Sequence, residues 1–358
     1  MRWAPFYLLP FLLLFAAAPG LRHLGEFRHW QILVFVFLIV APLDLLLGEL
    51  RSELRRDEPA ARWQRWLFRI VPWLWAPCVL GLLFWTLWIL AYGKTPTPLQ
   101  FAGLAVTTGF INGIVTVVFA HELMHRPSRG ERLLAELYMT LVSYPHFVIE
   151  HVQNHHRNVA TPADPATARL GESLYAFLPR LWAGELEGAW RQEHRRLTKR
   201  GRSPWSWRNR MLRYGLQVAL LYLAVALWAG WLGVAMLAAQ SLVAIFLLAI
   251  INYIEHYGLL RREIAPGTYE PVGPQHSWDS SHLLTTLFLL NLGRHADHHL
   301  RPGRPYQHLR HRDDAARLPL GYPAMLLLAL VPPLFFRVMD HRVEGRRHAA
   351  LAAGRAAA

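Results

Sequence analysis

Apolar residues in this chain come in long, nearly unbroken runs, not in the alternation of a half-buried strand or the every-third-or-fourth spacing of a surface helix. The runs are PFYLLPFLLLFAAA (5–18), WQILVFVFLIVAPLDLLLG (30–48), VPWLWAPCVLGLLFWTLWILAY (71–92) and LQFAGLAVTTGFINGIVTVVFA (99–120), with two more inside 212–254. Each approaches the roughly 20 residues that a helix needs to cross a bilayer, although the first is short. The pattern predicts an all-α integral membrane protein with six transmembrane helices, four within 1–120 and two within 212–254. Polar stretches at 121–211 and 255–343 predict a helical cap beside the membrane. A further apolar run, LPLGYPAMLLLALVPPLFFRVM (318–339), is interrupted by Pro332 and Pro333 and predicts a helix lying against the membrane or the other spans, not another crossing. The end, 344–358, is alanine-rich and of low complexity, and is expected to be disordered.

Composition agrees with a membrane protein. The hydrophobic fraction is 53%, there are 15 tryptophans, and 17% of residues are charged, against roughly 25% in ordinary soluble domains. The formal charge of +14 raises the question of nucleic acid, and its location answers it. Arginines crowd the connection 49–70 (Arg51, Arg55, Arg56, Arg62, Arg65, Arg69) and the segment 121–213, whereas the connections 93–98 and 231–234 carry almost none. The positive-inside rule then places the crowded segments, the cap and both termini on the cytoplasmic side, with Arg22 and Arg28 in 20–29 running against the pattern; the expected location is a bacterial-type inner membrane. Nucleic-acid binding needs aromatics interleaved with basic residues in a soluble domain, and here most aromatics sit in the spans. The SPWSW stretch (203–207) reads as a return to the membrane interface.

The opening MRWAPFYLLPFLLLFAAAPG also has the features of a secretory signal, with small residues near Ala16–Ala18. Removing it would leave five spans and put one terminus on the wrong side of the charge pattern, so an uncleaved first helix is expected. The single cysteine, Cys78, lies within a span and excludes an internal disulfide, a cysteine-ligated iron–sulfur cluster and a Cys-pair zinc site.

Four groups of histidines lie at or just beyond the expected cytoplasmic ends of spans: His121 and His125 in HELMH; His151, His155 and His156 in HVQNHH; His256 in NYIEHYG; and His295, His298 and His299 in RHADHH. Spacings of three and four share a helical face, a geometry that suits a metal. A lone interfacial histidine is often just a polar residue at headgroup level, but four groups on one side need another explanation. HELMH by itself matches the H-E-x-x-H zinc-protease pattern, with Glu122 as general base; three ligands satisfy such a zinc and leave the other groups unexplained. Nine imidazoles are too many for one ion and suit two, with positions left for oxygen and substrate. Iron is the best chemical guess, because open-coordinated non-haem iron activates O2 and nothing else in the chain suggests a redox cofactor. Glu122, Glu150, Asp164, Glu255, Asp279 and Asp297 are expected to take the second ring N–H of ligating histidines, and Glu255, beside His256, could bind metal directly. His194, His276, His282, His308, His311 and His341 lack this spacing and are left out.

Taken together, HELMHR (121–126), EHVQNHHRNVATPADPATAR (150–169), HSWDSSH (276–282), NYIEHYGL (252–259) and LGRHADHHLRPGRPYQ (292–307), with PLDLLLGE (42–49) and the closing LPLGYPAMLLLALVPPLFFRVMDHRV, resemble the membrane-bound alkane 1-monooxygenase family. Histidine boxes occur throughout the membrane desaturases and hydroxylases; NYIEHYG and VATPADPATAR look like alkane hydroxylases in particular. The resemblance implies six membrane helices, two non-haem irons on the nine histidines above, and insertion of one oxygen atom from O2 into a terminal methyl of an n-alkane, giving a 1-alkanol. It also implies rubredoxin, fed by its reductase, as electron donor, for which the basic stretch 191–210 is the expected docking surface. Arg126 stands where the family's first box commonly ends in lysine. Hydroxylation of an alkyl-aromatic methyl and desaturation of an acyl chain are the alternatives.

Overall fold

A computed structural model describes residues 4–15, 17, 30–51 and 62–356. Ala16, Ala18, Arg22, Arg28, Arg55 and Arg56, on which parts of the first-helix and charge arguments fall, lie outside the described residues. The helices are α1 (Pro5–Phe15), α2 (Gln31–Leu47), α3 (Arg62–Tyr92), α4 (Pro98–Met124), α5 (Arg129–Leu141), α6 (147–158), α7 (Leu174–Thr198), α8 (Arg210–His256), α9 (Leu283–Phe288), α10 (His295–Leu300), α11 (Tyr322–Ala329) and α12 (Pro332–Ala356). Two small sheets complete the fold. In one, β1 (Glu263–Ala265) and β2 (Thr268–Tyr269) are antiparallel; in the other, β3 (Trp278–Asp279) and β4 (Ala316–Arg317) are parallel.

Among the described residues, α3, α4 and α8 are long and apolar enough to cross a membrane, and the bent pair α11–α12 would make a fourth. The protein is thus a membrane protein with three or four candidate spans of full length. α1 and α2 are apolar but shorter, at 11 and 17 residues by their bounds. α8 is a hairpin. Gly230, at φ 62° and ψ −164°, breaks its 47 residues in the middle, a left-handed conformation that glycine adopts without steric cost. The chain folds back there: the Ser143 hydroxyl lies 3.2 Å from the Tyr222 hydroxyl and 3.1 Å from that of Ser241, and a Cβ on Gly233 would sit 3.1 Å from the Val225 side chain.

Buried polar side chains join the spans. Trp75 Nε1 donates to Thr116 (2.8 Å), Thr116 to Asn112 (2.8 Å), Asn112 to Gln240 (2.6 Å), and Gln240 to the Leu141 carbonyl (3.0 Å). Such bonds hold membrane helices together where lipid supplies no hydrophobic drive. Among the described residues three helices contain π-helical segments, at Phe35–Val40 in α2, Asn112–Thr116 in α4 and His151–His155 in α6; such segments are rare and concentrate at functional sites.

Within 344–358, α12 continues through Ala356; alanine is the strongest helix former, and low complexity does not weaken that preference. The run 318–339 is two helices bent by 119°, broken at the prolines as expected; the first, α11, is largely buried against the other helices.

Candidate metal centre

The centre sits where α4, α6, α8 and α10 end together. α4 brings His121 and His125, α6 brings His151, His155 and His156, α8 ends on His256, and α10 carries His295, His298 and His299. These nine histidines form two groups. His121, His125, His151, His156 and His298 make one; His155, His256, His295 and His299 make the other; within each, one ring nitrogen per residue lies within 4.8 Å of all the rest.

The division departs from simple helical spacing. His121 and His125, four apart, share a group, as do His295 and His299. His151 and His155 are also four apart but separate, because the backbone between them is π-helical and brings positions five apart into line. His151 therefore meets His156, Nε2 to Nε2 at 3.0 Å. Each of the two later boxes sends its middle histidine across: His155 joins the group built on α8 and α10, and His298 joins the group built on α4 and α6.

The arrangement fits metal ions. His156 Nε2 faces both His151 Nε2 (3.0 Å) and His298 Nε2 (3.1 Å), and His295 Nε2 faces both His256 Nε2 (3.1 Å) and His299 Nε2 (2.9 Å). A ring nitrogen carries one proton or one lone pair and can satisfy only one such neighbour, whereas a cation accepts lone pairs from all three. His125 Nε2 and His155 Nε2 are buried without a hydrogen-bond partner among the described residues. Burial, then the charges of His155 and Arg126, lowers His125 to about 3. Burial, followed by mutual repulsion among the imidazoles, holds His151, His156, His295, His298 and His299 well below the ordinary value. Neutral imidazole is the form that binds metal. His155 differs: burial lowers it, but the Asp164 carboxylate outweighs burial and raises it.

The carboxylates divide by what they hold. Both Asp164 oxygens lie 3.1 Å from His155 Nδ1, and Glu255 Oε2 lies 3.4 Å from His295 Nε2. The hydrogen bonds and ion pairs of the other four go to groups other than a histidine ring. Glu122 pairs with Arg126 and accepts the Tyr306 N–H (3.3 Å). Glu150 accepts from Asn154 (2.9 Å). Asp279 accepts the Ala296 N–H (2.6 Å), capping the first turn of α10, and Asp297 is held by Arg304 and the Arg310 N–H (3.0 Å). With its carboxylate so engaged, Glu122 makes a poor general base, and its two neighbouring histidines belong to a five-membered group, unlike a protease site. His276, His282, His311 and His341 bond elsewhere, to Gly273, Ser280, Ser281 and the Arg337 carbonyl.

An apolar cavity ends beside the histidines. α2 lines it with Val36, Phe37 and Val40, α4 with Phe110, Gly113, Ile114 and Val118, and α8 with Leu247, Ile251 and Glu255, the residue before His256. Leu13, α9 with the turn after it, and Tyr322 with its neighbours on α11 close the rest. Tyr322 donates to Glu255 Oε1 at 2.6 Å. From Val118 to Phe110 the cavity follows α4 for about 12 Å at 1.5 Å per residue. Sequence reasoning missed Tyr322, which the sequence does not mark.

The profile described as fatty acid desaturase matches residues 96–327, which include all nine histidines. Alkane 1-monooxygenase 2 of Pseudomonas aeruginosa is 39% identical over 88% of this chain and 84% of its own length. Alkane 1-monooxygenase of Acinetobacter baylyi is 45% identical over 67% of this chain and 59% of its own. The xylene/toluene monooxygenase hydroxylase component of Pseudomonas putida is more distant, at 30% over 73% of this chain and 72% of its own. By these matches the chain belongs to the alkane 1-monooxygenase family, within the wider fatty acid desaturase family.

Proposed function

We propose that this monooxygenase hydroxylates medium- to long-chain n-alkanes at the terminal carbon, using O2 and electrons from rubredoxin. The observation that carries the reading is the apolar cavity ending at Glu255, against two groups of buried histidines. One iron would be held by His121, His125, His151, His156 and His298, and the other by His155, His256, His295 and His299 with Glu255 as a further ligand. The irons supply the activation of O2.

The chain's own residues do the rest. The cavity wall offers an alkane almost no polar group, so selection rests on shape: a narrow sheath presents one end of the chain to Glu255 and the histidines. Its apolar lining keeps water from the reacting carbon. Tyr322 fixes the Glu255 carboxylate, and Asp164 fixes the His155 ring with Nε2 turned to the second group. Replacing Asp164 with asparagine is expected to weaken metal binding about 10–100-fold, the usual effect of losing a partner behind a ligand. Chelator competition on purified protein measures this, and unaltered affinity would remove Asp164 from that role.

Six crossings follow if α1 and α2 each cross and the two arms of α8 count separately, with the histidines on the cytoplasmic side of an inner membrane. The arginines of the expected docking stretch are partly neutralised within the chain: Glu187 pairs with Arg191, and Glu193 with Arg196 and Arg210. An acidic carrier therefore meets a weaker charge there than the sequence suggests.

Membranes carrying the chain, supplied with rubredoxin, its reductase, NADH, labelled O2 and n-octane or n-hexadecane, test the proposal. Labelled 1-alkanol is expected. Iron-loaded protein that makes none would move the substrate to alkyl-aromatics or acyl chains, and absence of iron would end the di-iron reading.

A further inference from the structure

α2 carries one acid in its apolar sequence, Asp44, and that side chain is only 1% exposed. Its carboxylate reaches across to the start of α9. Oδ1 accepts the N–H groups of Leu284 (2.7 Å) and Thr285 (3.1 Å), and Oδ2 accepts the Thr285 hydroxyl. A Cβ on Gly321, just before α11, would fall 2.8 Å from Oδ2, so a third segment packs against the same atom. The chain after Asp44 continues the attachment. Gly48 O accepts from Leu283 N (2.9 Å), Leu50 N donates to Ser281 O (2.7 Å), and Leu50 O accepts from Arg294 (2.8 Å), which also donates to Leu309 O (2.7 Å).

The two segments so joined both line the apolar cavity. Val36, Phe37 and Val40 stand on α2 one to two turns before Asp44, while Thr285, Phe288, Leu289 and Leu292 stand on α9 and the turn after it. That second wall runs through Arg294 directly into His295 and α10. Resting on the alkane-hydroxylase reading, we propose that Asp44 is a positioning residue. It pins the α2 wall to the segment leading into α10, and so fixes the end of the alkane relative to the histidines. A fully buried carboxylate in an apolar helix is costly unless it is paired, and every hydrogen bond found to the oxygens of this one among the described residues comes from α9.

The test uses Asp44→Ala and Asp44→Asn in the full-length protein. Asparagine keeps Oδ1 for the two backbone N–H groups, so it should act in the same direction and less. In Asp44→Ala, iron content is expected to hold, the 2-alkanol share of the product to rise about tenfold, and NADH oxidised per alkanol to increase, in line with the cost of displacing a reacting atom by about 1 Å. Hydrogen exchange is expected to quicken in 283–288 and 294–300 as well as in α2. Unchanged regioselectivity in an iron-loaded Asp44→Ala, or in Asp44→Asn if the alanine variant does not fold, overturns the proposal. Loss of iron from Asp44→Asn overturns it too, since Asp44 would then hold the whole site together. If the parent makes no alkanol the functional reading fails, and exchange alone judges the attachment: an unchanged rate in 294–300 rejects it.

Discussion

His298→Ala is expected to abolish 1-alkanol formation and to lower bound iron to about half. His298 comes from α10, yet its ring stands 4.5 Å from His121 and its Nε2 3.1 Å from His156 Nε2, among side chains of α4 and α6. Removing it takes one donor from a group of five and leaves the four-histidine group complete. Losing an outer partner of a ligand already costs about 10–100-fold, so losing the ligand should cost more than that. His155→Ala is the reciprocal case and should strip the other ion. His341→Ala, in a histidine bonded to the Arg337 carbonyl on α12, is the control. Should His298→Ala keep both its iron and its product, the five-histidine group is not a metal site.

A large change in chain-length preference is expected from Phe110→Ala. Phe110 lies eleven residues before His121 on α4, about 16 Å from it at 1.5 Å per residue, and packs edge-on against Phe37 with centroids 5.8 Å apart. Both rings line the cavity, and Phe110 is its lining residue on α4 farthest along the helix from His121. A hydrophobic site separates substrates differing by one methylene by about 10–200-fold, so opening the cavity at Phe110 should move the preferred alkane to longer chains. Ile114→Trp should move it to shorter ones. Competition among n-octane, n-dodecane and n-hexadecane in one reaction reads both shifts, and an unaltered product ratio in both variants would mean that the chain end does not reach these residues.

The contrast between what the sequence disclosed and what it hid follows from the range of each signal. Apolar runs are visible along the chain, so membrane segments were legible; their number was less so, since α1 and α2 are short and α8 turns back at one glycine. The nine histidines were legible by residue type and spacing, and the structure gathers all of them. Their division was not, because spacing arguments assume 3.6 residues per turn and 151–155 is π-helical. Asp44 was visible as an acid in an apolar stretch, but its partners lie 240 and 241 residues later. Glu122, Glu150, Asp279 and Asp297 were grouped with the histidines by proximity along the chain, which says nothing about the direction of a carboxylate.

The exchange of His155 and His298 between the two groups bears on how the protein is made. Four of the five histidines of the first group have been synthesised by residue 156, long before the ribosome reaches position 298. The second group likewise borrows an early residue, His155, and waits for His299. Neither group can therefore be complete until residue 299 has left the ribosome and α10 has docked. With the two irons proposed above, metal loading would be a late event in biogenesis, and a truncated or misinserted chain would be left with incomplete, weakly binding sites.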